Sequence, residues 1–129
     1  KLTFVGNAIR DLALVIPSIH KEVIQAFYDN LATAIRKVDN DTLIFFEPIT
    51  FDNKIPVGFS HPPGGHRFAN KSVLAYHYYA PPALGLGTID SRIADAKRLG
   101  IPSFLTEYLG TNIDILDRAQ KNQQSWLYW

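Results

Sequence analysis

Four short runs, Thr42-Leu-Ile-Phe-Phe46, Ser72-Val-Leu-Ala-Tyr-His-Tyr-Tyr79, Ser103-Phe-Leu-Thr106 and Ser125-Trp-Leu-Tyr-Trp129, are spaced along a chain whose intervening segments are helical in period or rich in turn residues. Largely apolar runs of this length, rich in β-branched and aromatic residues, suit strands buried on both faces, and such strands belong to parallel sheets. From Pro17 to Val38 the residues Ile19, Val23, Phe27, Leu31 and Ile35 recur every four positions, which predicts a helix with one apolar face and Pro17 in its first turn. Asp90 to Leu99 carries Ile93, Ala96 and Leu99 on one face, with Gly100 as its stop and Pro102 beyond. Thr111-Asn-Ile-Asp114 has the form of a capping box ahead of Ile115, Leu116 and Ala119. The resulting order, helix, strand, loop, strand, helix, strand, helix, strand, is the alternation that yields a parallel sheet flanked by helices.

Two architectures produce that order, an open doubly wound sheet and a closed barrel. A nucleotide-binding open sheet calls for a glycine-rich turn after a strand, and neither Gly85-Leu-Gly87 nor Gly64-Gly65 has the G-x-G-x-x-G spacing. The predicted strands end near Glu47, Tyr79, Glu107 and Trp129, and a barrel of about 250 residues allots roughly 31 to each of its eight units. Four strands in 129 residues therefore match half of an α/β (β/α)8 TIM barrel. The long connector through His61-Pro-Pro-Gly-Gly-His66 denies both helix and ladder pairing, and loops of this size are usually functional or disordered.

Composition removes several function classes. With 19% charged residues and a formal net charge of +1, the chain has no field to gather nucleic acid or anionic lipid. Cysteine is absent, which excludes disulfides, thiol nucleophiles and thiolate metal sites. No stretch approaches the roughly 18 apolar residues of a membrane span, and the N-terminus lacks signal-peptide order. Methionine is absent too, so Lys1 is not an initiator, and a processed, truncated or partly determined chain is expected. His20, His61 and His66 show no metal-ligand spacing, and no metal is implied.

Active sites of such barrels lie at the C-terminal ends of the strands. The polar and aromatic residues there are Glu47, the pair His77 and Tyr79, Glu107, and Trp126 with Trp129. Residues two apart in a strand share a face, so His77 and Tyr79 point together. A lone strand-end Glu is more often a cap or an ion-pair partner. Carboxylates, an imidazole, a phenol and indoles at one barrel mouth are the groups that sugar hydrolysis uses.

The order Phe45-Phe-Glu-Pro48, Ser72-Val-Leu-Ala-Tyr-His-Tyr-Tyr-Ala-Pro-Pro82, Pro102-Ser-Phe-Leu-Thr-Glu-Tyr108 and Gln124-Ser-Trp-Leu-Tyr-Trp129 resembles glycoside hydrolase family 5, and within it the endoglycoceramidase-type members. The likeness runs from about Ala34, including Ala34-Ile-Arg-Lys-Val-Asp39, to the last residue. It implies that residues 1–129 are the C-terminal half of a (β/α)8 catalytic domain whose N-terminal half is absent. It also implies a retaining hydrolase that cleaves a β-glycosidic bond, such as that between a glycan and ceramide, through a covalent glycosyl-enzyme on Glu107. His77 and Tyr79 match the family's His-x-Tyr pair, whose tyrosine hydrogen-bonds the nucleophile and holds it ionised. Trp129, the second residue of a Trp-x-x-Trp pattern, resembles the indole that floors the subsite of the cleaved sugar, and Trp126 is assigned to packing.

Retention needs a second carboxylate about 5 to 5.5 Å from the first. The family supplies it from an Asn-Glu-Pro motif, which does not occur in this sequence. Glu47 precedes a proline but follows Phe46 instead of Asn. It is left as a substrate-binding or structural residue or, less favoured, as the acid/base, which is expected upstream of Lys1. Two-carboxylate hydrolysis requires no cofactor. The expected partners are a carbohydrate or glycolipid substrate and the missing half of the barrel, with no nucleic acid and with membrane contact only through a lipid substrate. The aromatic loop from Ile49 to Phe68 is a candidate lining for a lipid groove. Sequons at Asn40 and Asn70 would suit loops of a secreted protein, although such short motifs often arise by chance, and a secreted or lysosomal-type setting is the expectation. The alternatives are another family 5 β-glucosidase or endoglucanase, and a non-catalytic half-barrel that binds sugar.

Overall fold

The four apolar runs form one sheet in the computed structural model, which describes residue 11 and residues 13–49, 55–79, 87–108 and 113–129. Strands β1 (Ile44–Phe46), β2 (Ser72–Tyr78), β3 (Ser103–Tyr108) and β4 (Ser125–Trp126) pair in sequence order, every pair parallel. Helix α1 (Gln25–Arg36) precedes β1, α2 (Gly87–Leu99) joins β2 to β3, and α3 (Ile113–Lys121) joins β3 to β4. The last strand is shorter than predicted, yet its backbone continues alongside β3: the Leu127 and Trp129 N–H groups donate to the Leu105 and Tyr108 carbonyls at 2.9 and 3.1 Å. The predicted capping box at Thr111-Asn112 lies outside the described residues.

Register separates the two architectures that the sequence left open. Parallel partners share a sheet face, so Phe46 with Leu74, Tyr76 with Leu105, and Tyr78 with Tyr108 all point the same way. Phe46 and Leu74 pack with Ala96 and Leu99 of α2, and Ile24 and Tyr28 from the α1 side rest against that cluster. Tyr76, Tyr78, Leu105 and Tyr108 pack with Ile89 of α2 and Ile115 of α3. All three helices therefore cover one face of the sheet, whereas a doubly wound sheet carries helices on both. The opposite face presents Phe45 and Phe104, whose rings meet edge-on at 5.6 Å, and then His77 and Glu107 at the strand ends. This is the layering of part of a (β/α)8 barrel, with the second face turned to the barrel interior.

The helix before β1 departs from expectation in two ways. Helical turns cover residues 13–19, so Pro17 sits inside the helix instead of at its start, and a π-helical turn follows at His20–Ile24. A proline in a helix interior removes a donor and crowds the preceding turn, and the wider turn follows directly after it. The every-fourth stripe also does not face the sheet: Val23, Phe27 and Leu31 are 62%, 61% and 44% exposed, while Ala32 is buried. Periodicity showed that an apolar face exists but could not say which neighbour covers it.

The proline- and glycine-rich connector is strapped down between residues 55 and 65. From α2, Arg98 donates to the Val57 and Phe59 carbonyls at 2.6 and 2.7 Å, Arg92 donates to the Ile55 carbonyl, and Asp95 accepts from the Val57 N–H. From the α1 side, Gln25 accepts from the Ser60 N–H and Asp29 from the Gly64 N–H. Gly58 has no room for a side chain, because a Cβ there would lie 1.9 Å from the Pro17 carbonyl oxygen. Val57 and Phe59 enter the core beside Phe46, so they do not line the lipid groove predicted for this segment, of which residues 50–54 lie outside the described residues. Burying a side chain of the size of Phe59 contributes about 1.5–3 kcal/mol, which fixes the connector as part of the scaffold.

Candidate active site

The strand ends that carry the predicted site meet through a break in the ladder. Up to Tyr76 the β2 and β3 partners advance together, Ala75 with Phe104 and Tyr76 with Leu105, but His77 pairs with Glu107 and leaves Thr106 over. Strict alternation would have put Glu107 on the helix-packed face with Leu105. The extra residue is a β-bulge, which returns Glu107 to the face shared by His77 and re-aims Tyr108 into the helix layer, where it is 3% exposed. The Thr106 hydroxyl closes the gap by donating to the Tyr76 carbonyl at 3.2 Å. Thr106 positions Glu107, and no motif in the sequence marks it; buried positions spaced three apart in β3, at Leu105 and Tyr108, are the trace it leaves.

On that face the carboxylate of Glu107 sits 2.8 Å from His77 Nδ1, and it accepts a hydrogen bond from the Tyr79 hydroxyl. The Tyr79 hydroxyl is pushed above the ordinary phenol range, by lost hydration first and then by the hydrogen bond to Glu107 and by its charge, so it stays a donor. The other ring nitrogen of His77, Nε2, faces Glu47 Oε2 at 3.5 Å. Four of the predicted residues, Glu47, His77, Tyr79 and Glu107, thus form one cluster at the C-terminal edge of the sheet. The His77 and Tyr79 rings meet edge-on at 6.2 Å.

Glu47 and Glu107 flank an imidazole, which occupies the space between them. A retaining pair instead holds the scissile bond between its carboxylates, so Glu47 is not placed as the partner of Glu107 in proton transfer. Its backbone is pinned by Tyr28, whose hydroxyl donates to the Glu47 carbonyl at 3.0 Å. Pro48 restricts it further to extended conformations. Trp129 reaches the site by its backbone, hydrogen-bonded to the carbonyl of Tyr108, and its side chain is 71% exposed. Trp126 and Tyr128 pack edge-on against Tyr108, with ring centroids 5.7 and 5.4 Å away, which agrees with a packing role for Trp126.

The remaining histidines have other neighbours. His20 is buried between two loops, with Nε2 2.9 Å from the Ile49 N–H and Nδ1 3.3 Å from the Gly58 N–H. Burial, and then the nearby Arg92 charge, lower its pKa to about 4. His61 lies 3.6 Å from Asp29, and its ring is 6.0 Å from that of His66. Among the described residues no group of three or more metal-ligating side chains converges, and no helix is long and apolar enough to cross a membrane.

A sequential parallel sheet, helices on one face and a carboxylate-imidazole-phenol cluster at its C-terminal edge define part of a (β/α)8 barrel of the glycoside hydrolase type. The family model of cellulase (glycosyl hydrolase family 5) matches residues 9–129. The chain belongs to that family. An endoglycoceramidase of Hydra vulgaris is 40% identical over 134 residues, a match covering 98% of this chain and 26% of the relative. An endoglycoceramidase of Cyanea nozakii is 37% identical over 137 residues, covering 98% and 27%. Two structures of endo-glycoceramidase II from Rhodococcus sp., one a lactosyl-enzyme intermediate, superpose with TM-scores of 0.65 and 0.64 at 25% and 26% identity, covering 88% of this chain and 31% of theirs. The chain spans about a quarter of the length of the curated relatives it matches.

Proposed function

We propose that this chain carries the nucleophile side of a retaining β-glycosidase of the endoglycoceramidase type. The observation that carries the reading is the convergence of His77 Nδ1 and the Tyr79 hydroxyl on the Glu107 carboxylate. Two donors hold the carboxylate in place and suppress its rotation. In the reaction, a Glu107 oxygen attacks the anomeric carbon while the bond to the leaving oxygen breaks, and that oxygen takes a proton from an acid/base carboxyl. Water, deprotonated by the same group, then releases the sugar from Glu107. The acid/base is assigned to the part of the barrel outside residues 1–129, since no Asn-Glu-Pro occurs within them. Trp129 is the proposed platform for the cleaved sugar and Glu47 a further site residue.

The substrate assignment, a glycan joined to a ceramide-type lipid, follows the two endoglycoceramidases at 40% and 37% identity. The Rhodococcus enzyme's lactosyl-enzyme structure supports a covalent route. A secreted or lysosomal-type setting is part of the same reading, supported by the exposed side chains of Asn40 and Asn70 within their sequons. A 2-deoxy-2-fluoro β-glycoside, tried on the intact protein and followed by peptide mass mapping, tests the chemistry. The expected adduct is on Glu107; an adduct on another carboxylate, or turnover unimpaired in Glu107→Gln, overturns it. Release of free ceramide from a glycosphingolipid, against release of glucose from a cello-oligosaccharide, decides the substrate class.

A further inference from the structure

We infer that Glu47 is a positioning residue that acts on Glu107 through His77, neither a proton donor nor a contact for the sugar; this rests on the assignment of Glu107 as nucleophile. An imidazole has two ring nitrogens, and each faces a carboxylate oxygen, Nδ1 toward Glu107 at 2.8 Å and Nε2 toward Glu47 at 3.5 Å. A carboxylate only accepts. A neutral imidazole carries one N–H and serves one of the two, whereas an imidazolium donates to both. With Glu47 on its far side, the His77 ring is held between two acceptors, which fixes its orientation and keeps Nδ1 directed at the nucleophile.

The surroundings of Glu47 fit that task. Its Oε2 is enclosed and makes no hydrogen bond among the described residues, so the approach of His77 Nε2 at 3.5 Å is the polar contact that offsets its lost hydration. The backbone that carries it is held from α1 by Tyr28, 19 residues away in sequence, and is followed by a buried proline. A carboxylate that served only for solubility would need neither restraint. The bulge that turns Glu107 toward His77 completes the row, so three consecutive strands each contribute one member: Glu47 after β1, His77 in β2 and Glu107 in β3. Tyr79, the residue directly after β2, adds a hydrogen bond to Glu107.

The test is the rate at which the 2-deoxy-2-fluoro glycoside traps the intact protein, measured in Glu47→Gln, His77→Gln and the double variant, with kcat and KM on a natural substrate alongside. Glu47→Gln is expected to slow trapping and kcat by about tenfold with KM within about twofold, and to add nothing further in the His77→Gln background. Equal effects of Glu47→Gln with and without His77, or a change confined to KM, overturns the proposal. Azide that restores turnover of Glu47→Gln with formation of a β-glycosyl azide also overturns it, since that outcome makes Glu47 the acid/base. Failure of the wild-type protein to be trapped on Glu107 is a separate result, which strikes the nucleophile assignment and not the Glu47–His77 link. Circular dichroism melting shows that the variants remain folded; should Glu47→Gln not fold, Glu47→Asp, which draws the carboxylate back from Nε2, carries the same kinetic comparison.

Discussion

Two polar clusters sit at opposite edges of the same sheet and are built from different partners. At the N-terminal edge Arg36, 6% exposed, donates to the carbonyls of Asp39, Thr42 and Lys71 at 3.2, 2.7 and 3.0 Å and lies 5.4 Å from the Phe68 ring centroid. At the C-terminal edge Glu47, His77, Tyr79 and Glu107 address one another, side chain to side chain. Backbone carbonyls cannot change charge or rotate away, so the first cluster is a fixed staple that ties the starts of β1 and β2 to the end of α1. Ionisable side chains that satisfy each other leave lone pairs and protons that a substrate can engage. The edge with backbone partners stabilises, and the edge with side-chain partners is the one proposed to react.

That contrast breaks most visibly at Glu107. Glu107→Gln is expected to lower kcat/KM of the intact protein by at least about a thousandfold while the denaturation midpoint stays where it was, as read by steady-state kinetics beside urea unfolding. A comparable loss of stability would mean that the upper cluster is structural after all. Arg36→Met should give the reverse: about 3 kcal/mol of stability lost in urea titration, because three carbonyls lose their donor, with trapping of the folded fraction unchanged.

His20 sharpens the comparison, because it is a histidine of the structural kind. Its pKa is about 4 folded against 6.5 unfolded, so the unfolded chain takes up a proton first as pH falls. Its contribution is complete above pH 6.5 and is lost progressively as the pH falls through about 4, amounting to about 3 kcal/mol. Urea midpoints measured between pH 7 and 4 should show this slope, and His20→Asn should flatten it. The smallest effect is expected at Thr106→Val, which removes the hydroxyl that closes the bulge. It should cost about 1 kcal/mol of stability and a few-fold in trapping rate, since the bulge that aims Glu107 loses one tie.

Much of this site is legible in the sequence. Alternation put His77 and Tyr79 on one face, the strand-end rule pointed to Glu107 and Glu47, and the order of motifs carried the family. The bulge was not legible, because a strand with one extra residue reads like any other in a single sequence; counted by twos, Glu107 falls on the wrong face. The orientation of the first helix was hidden for a related reason. Ile19, Val23, Phe27, Leu31 and Ile35 report an apolar stripe, but Ile24 and Tyr28 are the residues that meet Phe46 and Phe59. Nothing local marks Arg36 or Asp29, because the carbonyls and N–H groups they satisfy lie 3 to 35 residues away along the chain.

Sequence by itself determined the parallel sheet, the placing of reactive residues at strand ends and the family, since each depends on local period, length and motif. Tertiary structure alone decided that the helices cover one face, that Thr106 is the surplus residue which turns Glu107 toward His77, and that the imidazole lies between two carboxylates. Those outcomes depend on distances between residues far apart in the chain, and local periodicity carries no information about them.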